Sequence, residues 1–404
     1  MHRSIFFLAA LVALSGPQPG QTQQAARWRD ELPAPPAIPV DTRAEPATWI
    51  ARQAPAPPLP RPPAVVRALY VNAWAFGSSR FYDLVRLADS TEVNALVIDI
   101  KDDTGYLTYA SKVPTALAIG ANDQLRARDA ASRLRLLAER GIHPIARIVV
   151  AKDPLLAKRK PEWAIHTSDG GLWQDRQGRP WVDAFNDSVW VYAAELAAEA
   201  VRLGFAEVQY DYVRFPDESR ARMATAVFPG RREGESQRQG IARNLRLAGE
   251  RTRALGVPFT IDVFGLTTSA EGDLGIGQDW NDLVTIADVV LPMVYPSHYY
   301  RGFYEITKPN FEPYRVVQRA MEDGLRRLRA AGGTAEIRPY LQAFTLGPPK
   351  YEPHHVREQI RAAEELGIRS WVLWNPRSAY QPGIFRPSAP SADTVGGSGT
   401  PEGR

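Results

Sequence analysis

One arrangement occurs four times in this chain and limits what it can fold into. A segment with helical spacing of apolar residues runs into a glycine, and an apolar strand follows at once. The instances are LRLLAERGIHPIARIVV (ending at Val150), AAELAAEAVRLGFAEVQYDY (Tyr212), RTRALGVPFTIDVF (Phe264) and IRAAEELGIRSWVLWN (Asn375). Gly141, Gly204, Gly256 and Gly367 stand where a helix closes with a left-handed residue, which glycine adopts without a Cβ clash. Strands alternating with helices make βα units and therefore a parallel sheet. Eight strands are predicted: Val66–Asn72, Ala95–Ile100, Ile142–Val150, Ala206–Tyr212, Pro258–Phe264, Val289–Tyr295, Ile337–Gln342 and Trp371–Asn375. Eight such units in one domain is the count of a (β/α)8 TIM barrel, an α/β fold. A doubly wound sheet is the alternative. It would want a glycine-rich phosphate turn after its first strand, and NAWAFGSSR (Asn72–Arg80) is a poor one.

The barrel needs only part of the 404 residues. His2 and Arg3 precede an apolar run from Ile5 to Leu14, too short for a bilayer span, so residues 1–20 read as an export signal, with an uncleaved anchor as the alternative. Residues 21–63 are rich in Pro and Ala and form a linker without core-forming side chains; residues 387–404 form a disordered Ser-, Gly- and Pro-rich tail. The folded domain is expected at 64–386. Export to the periplasm or beyond follows, with no membrane span in the mature chain. The absence of cysteine excludes disulfides and thiol chemistry. The formal charge of +4, with Lys and Arg scattered among Asp and Glu, speaks against a nucleic-acid surface. Oligomeric state is not legible.

In a parallel barrel alternate residues face the axis, and the active site lies at the carboxyl ends of the strands. Period-2 parity points Asp99 and Lys101 inward from the second strand, Gln209 and Asp211 from the fourth, and Thr260 and Asp262 from the fifth. The first and third strands bring Asn72 and Arg147, and later strands end in Tyr295, Gln342, Trp374 and Asn375. Polar groups therefore converge on one rim, which reads as a ligand site. None of the six histidines forms a strand-borne His-x-His pair, so no metal or other cofactor is expected; His298 is a substrate-contact candidate at the mouth. No G-x-S-x-G elbow or phosphate-binding Gly-Lys loop is present. Carboxyl groups remain as the reactive candidates.

Two carboxyls on neighbouring strands suit glycoside hydrolysis, in which one is ionised and the other holds a proton for the leaving oxygen. Arg147 and Arg214 are expected to keep Asp211 ionised, and apolar neighbours to raise Asp262 as the acid. Asp99 or Asp102 of VIDIKDDTG are alternatives to either. Two or three of Trp74, Trp173, Trp181, Trp280 and Trp374 are expected to line a sugar cleft. Long insertions at Asp153–Asp187 and Glu218–Gly240 follow the third and fourth strands on the same face.

NALVIDIKDDTGYLTY (Asn94–Tyr109), GIHPIARIVVAKDP (Gly141–Pro154), the LW…WVDAF segment (Leu172–Phe185) and EVQYDYVRFPDE (Glu207–Glu218) resemble a bacterial family of predicted glycoside hydrolases, once catalogued only as a domain of unknown function. The likeness spans about Val66 to Phe385. It implies a TIM barrel distantly similar to the α-amylase-like glycosidase clans, where a nucleophilic Asp ends the fourth strand, here matching Asp211. The usual fifth-strand acid is Glu, whereas this chain has Asp262. A hydrolase acting on the glycosidic bonds of a poly- or oligosaccharide is the expectation. The alternatives are a non-catalytic carbohydrate-binding barrel and a metal-assisted hydrolase using Asp99, Asp102 and Asp211.

Overall fold

The computed structural model describes residues 62–388. The expected signal (1–20) lies outside them, as do the linker (21–63) and tail (387–404), save two residues at the inner edge of each of the latter two. Eight parallel strands form the centre: β1 (Arg67–Val71), β2 (Ala95–Lys101), β3 (His143–Val149), β4 (Glu207–Asp211), β5 (Phe259–Phe264), β6 (Val289–Val294), β7 (Tyr340–Gln342) and β8 (Trp371–Trp374). β1 pairs with both β2 and β8. β7 closes the ring, Tyr340 pairing with Met293 of β6 on one side and Val372 of β8 on the other. Pro339, which has no N–H for the ladder, separates β7 from a short leading piece, Glu336–Ile337, that pairs with Val289–Val290. The predicted barrel is thus the observed one.

Helices α1 (Arg80–Ser90), α2 (Ala130–Glu139), α3 (Asp187–Leu203), α4 (Gln237–Arg253), α5 (Trp280–Ile286), α6 (Pro313–Ala330) and α7 (Pro353–Glu365) each follow the strand of the same number. Their apolar stripes face the sheet; in α6 the buried set is Pro313, Val316, Val317, Ala320, Met321 and Gly324, the spacing of one helix face. The four helix-closing glycines all have positive φ, 64° at Gly141, 121° at Gly204, 78° at Gly256 and 83° at Gly367. After β8 the described chain makes a 3₁₀ turn, Pro382–Ile384, and Pro387 bridges to Thr91, so a short strap stands in place of an eighth helix.

The interior is layered by the tilt of the strands. At the amino end Glu207 accepts from Arg338 at 2.6 Å and lies 3.5 Å from the His143 imidazole, forming a polar floor. Apolar side chains fill the middle, among them Ala68, Ala95, Val97, Ile145, Leu291 and Val372. At the carboxyl end the two long insertions are tied together. His166–Thr167 pairs antiparallel with Ala226–Val227, and Arg222 Nη2 donates to the carbonyls of Gln174 and Asp175 at 2.8 and 2.9 Å. They form a wall beside the ends of β3 and β4. No described helix is long and apolar enough to cross a membrane.

Candidate active site

Strand register decides which side chains meet. Asp99 is level along the ladder with Arg147, Gln209 and Thr260. Because the strands tilt, each axial layer takes one residue from every second strand. The mouth layer is therefore Asp99 (β2), Asp211 (β4), Met293 (β6) and Trp374 (β8). Immediately beneath it lie Tyr70 (β1), Arg147 (β3), Asp262 (β5) and Tyr340 (β7).

Arg147 is the hub. Its Nη1 donates to Asp99 Oδ1 at 2.5 Å. Its Nη2 donates to Asp211 Oδ2, and Nε lies 3.2 Å from that same oxygen. Asp262 Oδ2 is 3.5 Å from Nε. The guanidinium also lies 5.1 Å from the ring centroid of Trp374 and 5.5 Å from that of Tyr70, and those two rings stack at 3.7 Å. Tyr70 OH donates to Asp99 Oδ2 at 2.5 Å, the Tyr212 N–H to Asp211 Oδ1 at 2.5 Å, and Gln209 Nε2 to both Asp262 oxygens at 2.6 and 2.8 Å. Gln209 also bonds Tyr340 OH at 2.6 Å.

Three buried carboxyls share one guanidinium, more acid than one cation can balance if all are ionised. Burial pushes the Asp99 carboxyl up to about 6, while the Arg147 charge and the Tyr70 hydroxyl pull the other way. Burial and, next, the charge of Asp211 hold Asp262 well above the ordinary carboxylate range against the pull of Arg147. The parity of Asp99, Gln209, Asp211 and Asp262, read from alternation, is the arrangement seen.

Other candidates lie elsewhere or are committed to the scaffold. Arg214 does not pair with Asp211: Tyr212 takes a left-handed φ of 53°, turning the chain, and the Arg214 guanidinium packs against Trp181, Tyr212 and Phe264. Lys101 does not share the axis with Asp99. A register shift between them aligns Lys101 with Ile148, and its ammonium is buried against Asp153 Oδ2 (2.7 Å) and the Val149 carbonyl (2.5 Å). Asn72 caps the helix Ala73–Phe76 through Ala75 N and donates to the Pro376 carbonyl. Gln342 bonds Ser297 N and the Phe344 carbonyl, and Asn375 bonds the Ala343 carbonyl and Arg377 N, so both tie neighbouring loops together. Asp102 bonds the backbone N–H and hydroxyl of Thr104 in its own turn.

The rim keeps Tyr295, His298, Trp374 and Trp74. Tyr295 is buried with a hydroxyl lacking any partner among the described residues, and exposed His298 stands edge-on to it at 5.3 Å. Trp374 is half-buried in the mouth layer, while Trp74, beyond β1, is 66% exposed with Arg126 stacked 4.0 Å from its ring. Trp173, Trp181 and Trp280 are buried; Trp280 donates to the Gly324 carbonyl in the helical layer. Sequence reasoning missed Tyr70 and Tyr340. Each lies two residues before a singled-out polar residue on the same parity, so the alternation carried the signal and their aromatic bodies hid it. Among the described residues no grouping of three or more His, Asp, Glu or Cys is suited to a metal ion; a guanidinium is what the three aspartates share.

None of the curated proteins matches the chain. Among solved structures, the glycoside hydrolase domain of PgaB (BpsB) from Bordetella bronchiseptica is similar in fold, with a TM-score of 0.54 and 13% identity over 78% of this chain and 95% of that one. A hypothetical protein from Ruminiclostridium thermocellum is 38% identical over 45% of this chain and 92% of its own, with a TM-score of 0.41. The glycoside hydrolase domain of PelA from Pseudomonas aeruginosa is 14% identical over 79% of this chain and 97% of its own, with a TM-score of 0.43. The family model described as a putative glycosyl hydrolase domain matches residues 68–380, most of the chain. The chain belongs to that family and is, with it, a glycoside hydrolase in class.

Proposed function

We propose that this protein cleaves glycosidic bonds of a poly- or oligosaccharide by a two-carboxylate mechanism centred on Asp211. The observation that carries the reading is the convergence of Asp99, Asp211 and Asp262, from three strands, on the single cation Arg147 at the carboxyl end of the barrel. Such a cluster holds an ionised carboxylate beside a protonated one, the pair that attack on the anomeric carbon and protonation of the leaving oxygen require. Asp211, held only by donors, serves as the anionic member. Asp262 serves as the proton-bearing member. Asp99 is the second reading for the donor, because it shares the mouth layer with Asp211 whereas Asp262 lies one layer deeper.

The Oδ2 atoms of Asp211 and Asp262 lie 3.2 and 3.5 Å from one nitrogen, Arg147 Nε. Their separation cannot exceed the sum of those distances, which falls below almost all of the roughly 6.5–9.5 Å range of inverting enzymes and favours retention of configuration. Trp374 and Trp74 offer aromatic faces for sugar rings, and we infer export from the amino-terminal residues. The test is a glycan screen with product analysis, using the wild type and Asp211→Asn. Cleavage by the wild type, lost by about 10³-fold or more in Asp211→Asn with binding retained, is the expected result. Binding without cleavage by the wild type would establish the non-catalytic barrel instead.

A further inference from the structure

The described residues bury six lysine and arginine side chains: Lys101, Arg133, Arg147, Lys152, Arg214 and Arg338. Five have a carboxylate within 4.0 Å: Asp153 for Lys101, Asp129 for Arg133, the aspartate cluster for Arg147, Asp103 for Lys152 and Glu207 for Arg338. Arg214 is the exception. It is 8% exposed, and no carboxylate among the described residues lies within 4.0 Å of its guanidinium. Its Nη1 donates to the Phe215 carbonyl at 3.0 Å. Its Nε and Nη2 hydrogen-bond to no described residue, yet neither is sealed from solvent.

Asp217, whose carboxyl is raised by burial and lowered by the Arg214 charge, stands beyond 4.0 Å as a more distant counter-charge. A guanidinium taken out of water with no carboxylate in contact is costly, and an anion arriving with a ligand would offset that cost. The surroundings fit that use. Phe264, Tyr212 and Trp181 place their ring centroids 4.6, 4.6 and 5.2 Å from the guanidinium carbon, fixing the fork and excluding water from its faces. Tyr212 directly follows Asp211 and holds a left-handed φ of 53°, a conformation disfavoured for a bulky residue and found at ligand clamps. Lys152 lies 5.2 Å from the same ring, and Lys152 and Arg179 share the one carboxylate of Asp103, each at 2.9 Å. The acidic centre is thus bordered by a cationic shoulder between the ends of β3, β4 and β5.

We infer that Arg214 is a specificity-determining residue that receives a planar carboxylate on the sugar, making the substrate a uronic-acid-type acidic glycan. The fork of Nε and Nη2 pairs with a carboxylate in the bidentate geometry that guanidinium favours. The inference rests on the reading of this mouth as saccharide-binding, and its test is separable from catalysis. Asp211→Asn protein is titrated with oligomers of glucuronic, galacturonic and mannuronic acid, each beside its carboxyl-reduced neutral counterpart. In at least one pair the acidic member binds about 10- to 100-fold more tightly, the range expected of a charge-assisted bond. Adding Arg214→Met removes that preference and leaves the neutral member's affinity unchanged. Arg214→Lys keeps part of it, since an ammonium supplies charge without the fork. No preference for the acid in any pair, including no binding of either member, overturns the inference, as does an equal loss for both members in Arg214→Met. Cleavage of neutral glycans by the wild type would in those cases leave the hydrolase reading standing.

Discussion

Replacing Arg147 with methionine tests the physical core of the site, because it keeps much of the stem and deletes the one cation that three buried carboxyls share. Asp99 and Asp211 are bonded directly and Asp262 lies 3.5 Å away. Removing one partner of a buried ion pair costs about 3–5 kcal/mol, since the remaining charge is left without either water or counter-ion. Arg147→Met should lose about that much at pH 8, lowering the urea midpoint by about 1 M or more. The loss must also depend on pH. With Arg147 present the Asp99 carboxyl already stands at about 6 in the folded chain, against an ordinary 3.8. Without it, Asp99 and Asp262, both of which its charge pulls down, stand higher still, so the folded state binds more protons than the unfolded state across the window between those values. Stability then rises as pH falls, is fully regained only near the unfolded carboxylate pKa, and is lost as pH rises through the folded one. The gap between wild type and variant should therefore be largest at pH 8 and clearly smaller at pH 5. Adding Asp211→Asn to Arg147→Met should recover part of the loss at pH 8 by removing an orphaned charge. Equilibrium urea unfolding followed by tryptophan fluorescence measures all of this. A loss below about 1 kcal/mol at pH 8, or an equal gap at both pH values, would refute the electrostatic account.

Three other outcomes follow from particular contacts. Activity should fall on the alkaline side as the proton-bearing carboxyl ionises, and the pH–rate profile of Asp262→Asn or Asp99→Asn should show which variant moves that limb. Lys101→Met breaks the buried Lys101–Asp153 pair and should destabilise by about 3–5 kcal/mol in urea unfolding while leaving the affinity for any cleaved glycan unchanged, because that pair lies outside the mouth. Gly77→Ala would set a Cβ 1.9 Å from the Arg126 carbonyl oxygen, forcing the two backbones apart beside Trp74, and should cost about 1–3 kcal/mol, seen as a lower melting temperature.

Part of the molecule is legible from local chemistry alone. A helix that ends in Gly141, Gly204, Gly256 or Gly367 and turns at once into an apolar strand needs no distant contact to be recognised, because the left-handed closure and the change of period are properties of adjacent residues. The same holds for the inward parity of Asp99, Gln209, Asp211 and Asp262, which follows from pleat alternation. Alternation does not register a bulge, so Lys101 was placed on the axis when one shifted residue turns it to Asp153. Nor does it show whether a polar side chain at a strand end is already occupied by the scaffold, as Asn72, Gln342 and Asn375 are.

Which charges meet is the part decided only by the closed barrel. Arg214, three residues from Asp211, and Arg147, 64 positions away, are both expected beside it, yet only Arg147 is bonded to it, and Arg147 binds Asp99 as well. Strand tilt raises each neighbour relative to the last, so a residue's axial companions come from other strands at offsets set by the shear of the whole ring, a quantity no local segment contains. The backbone turn at Tyr212 then carries Arg214 into its aromatic box. The sequence by itself therefore determined the repeating unit, the inward-facing carboxyls and the rim on which they stand. Tertiary structure alone decided that all three share Arg147, that Asp262 lies beneath Asp211, and that Arg214 has no carboxylate within 4.0 Å among the described residues, because those relations exist only once eight tilted strands close on one another.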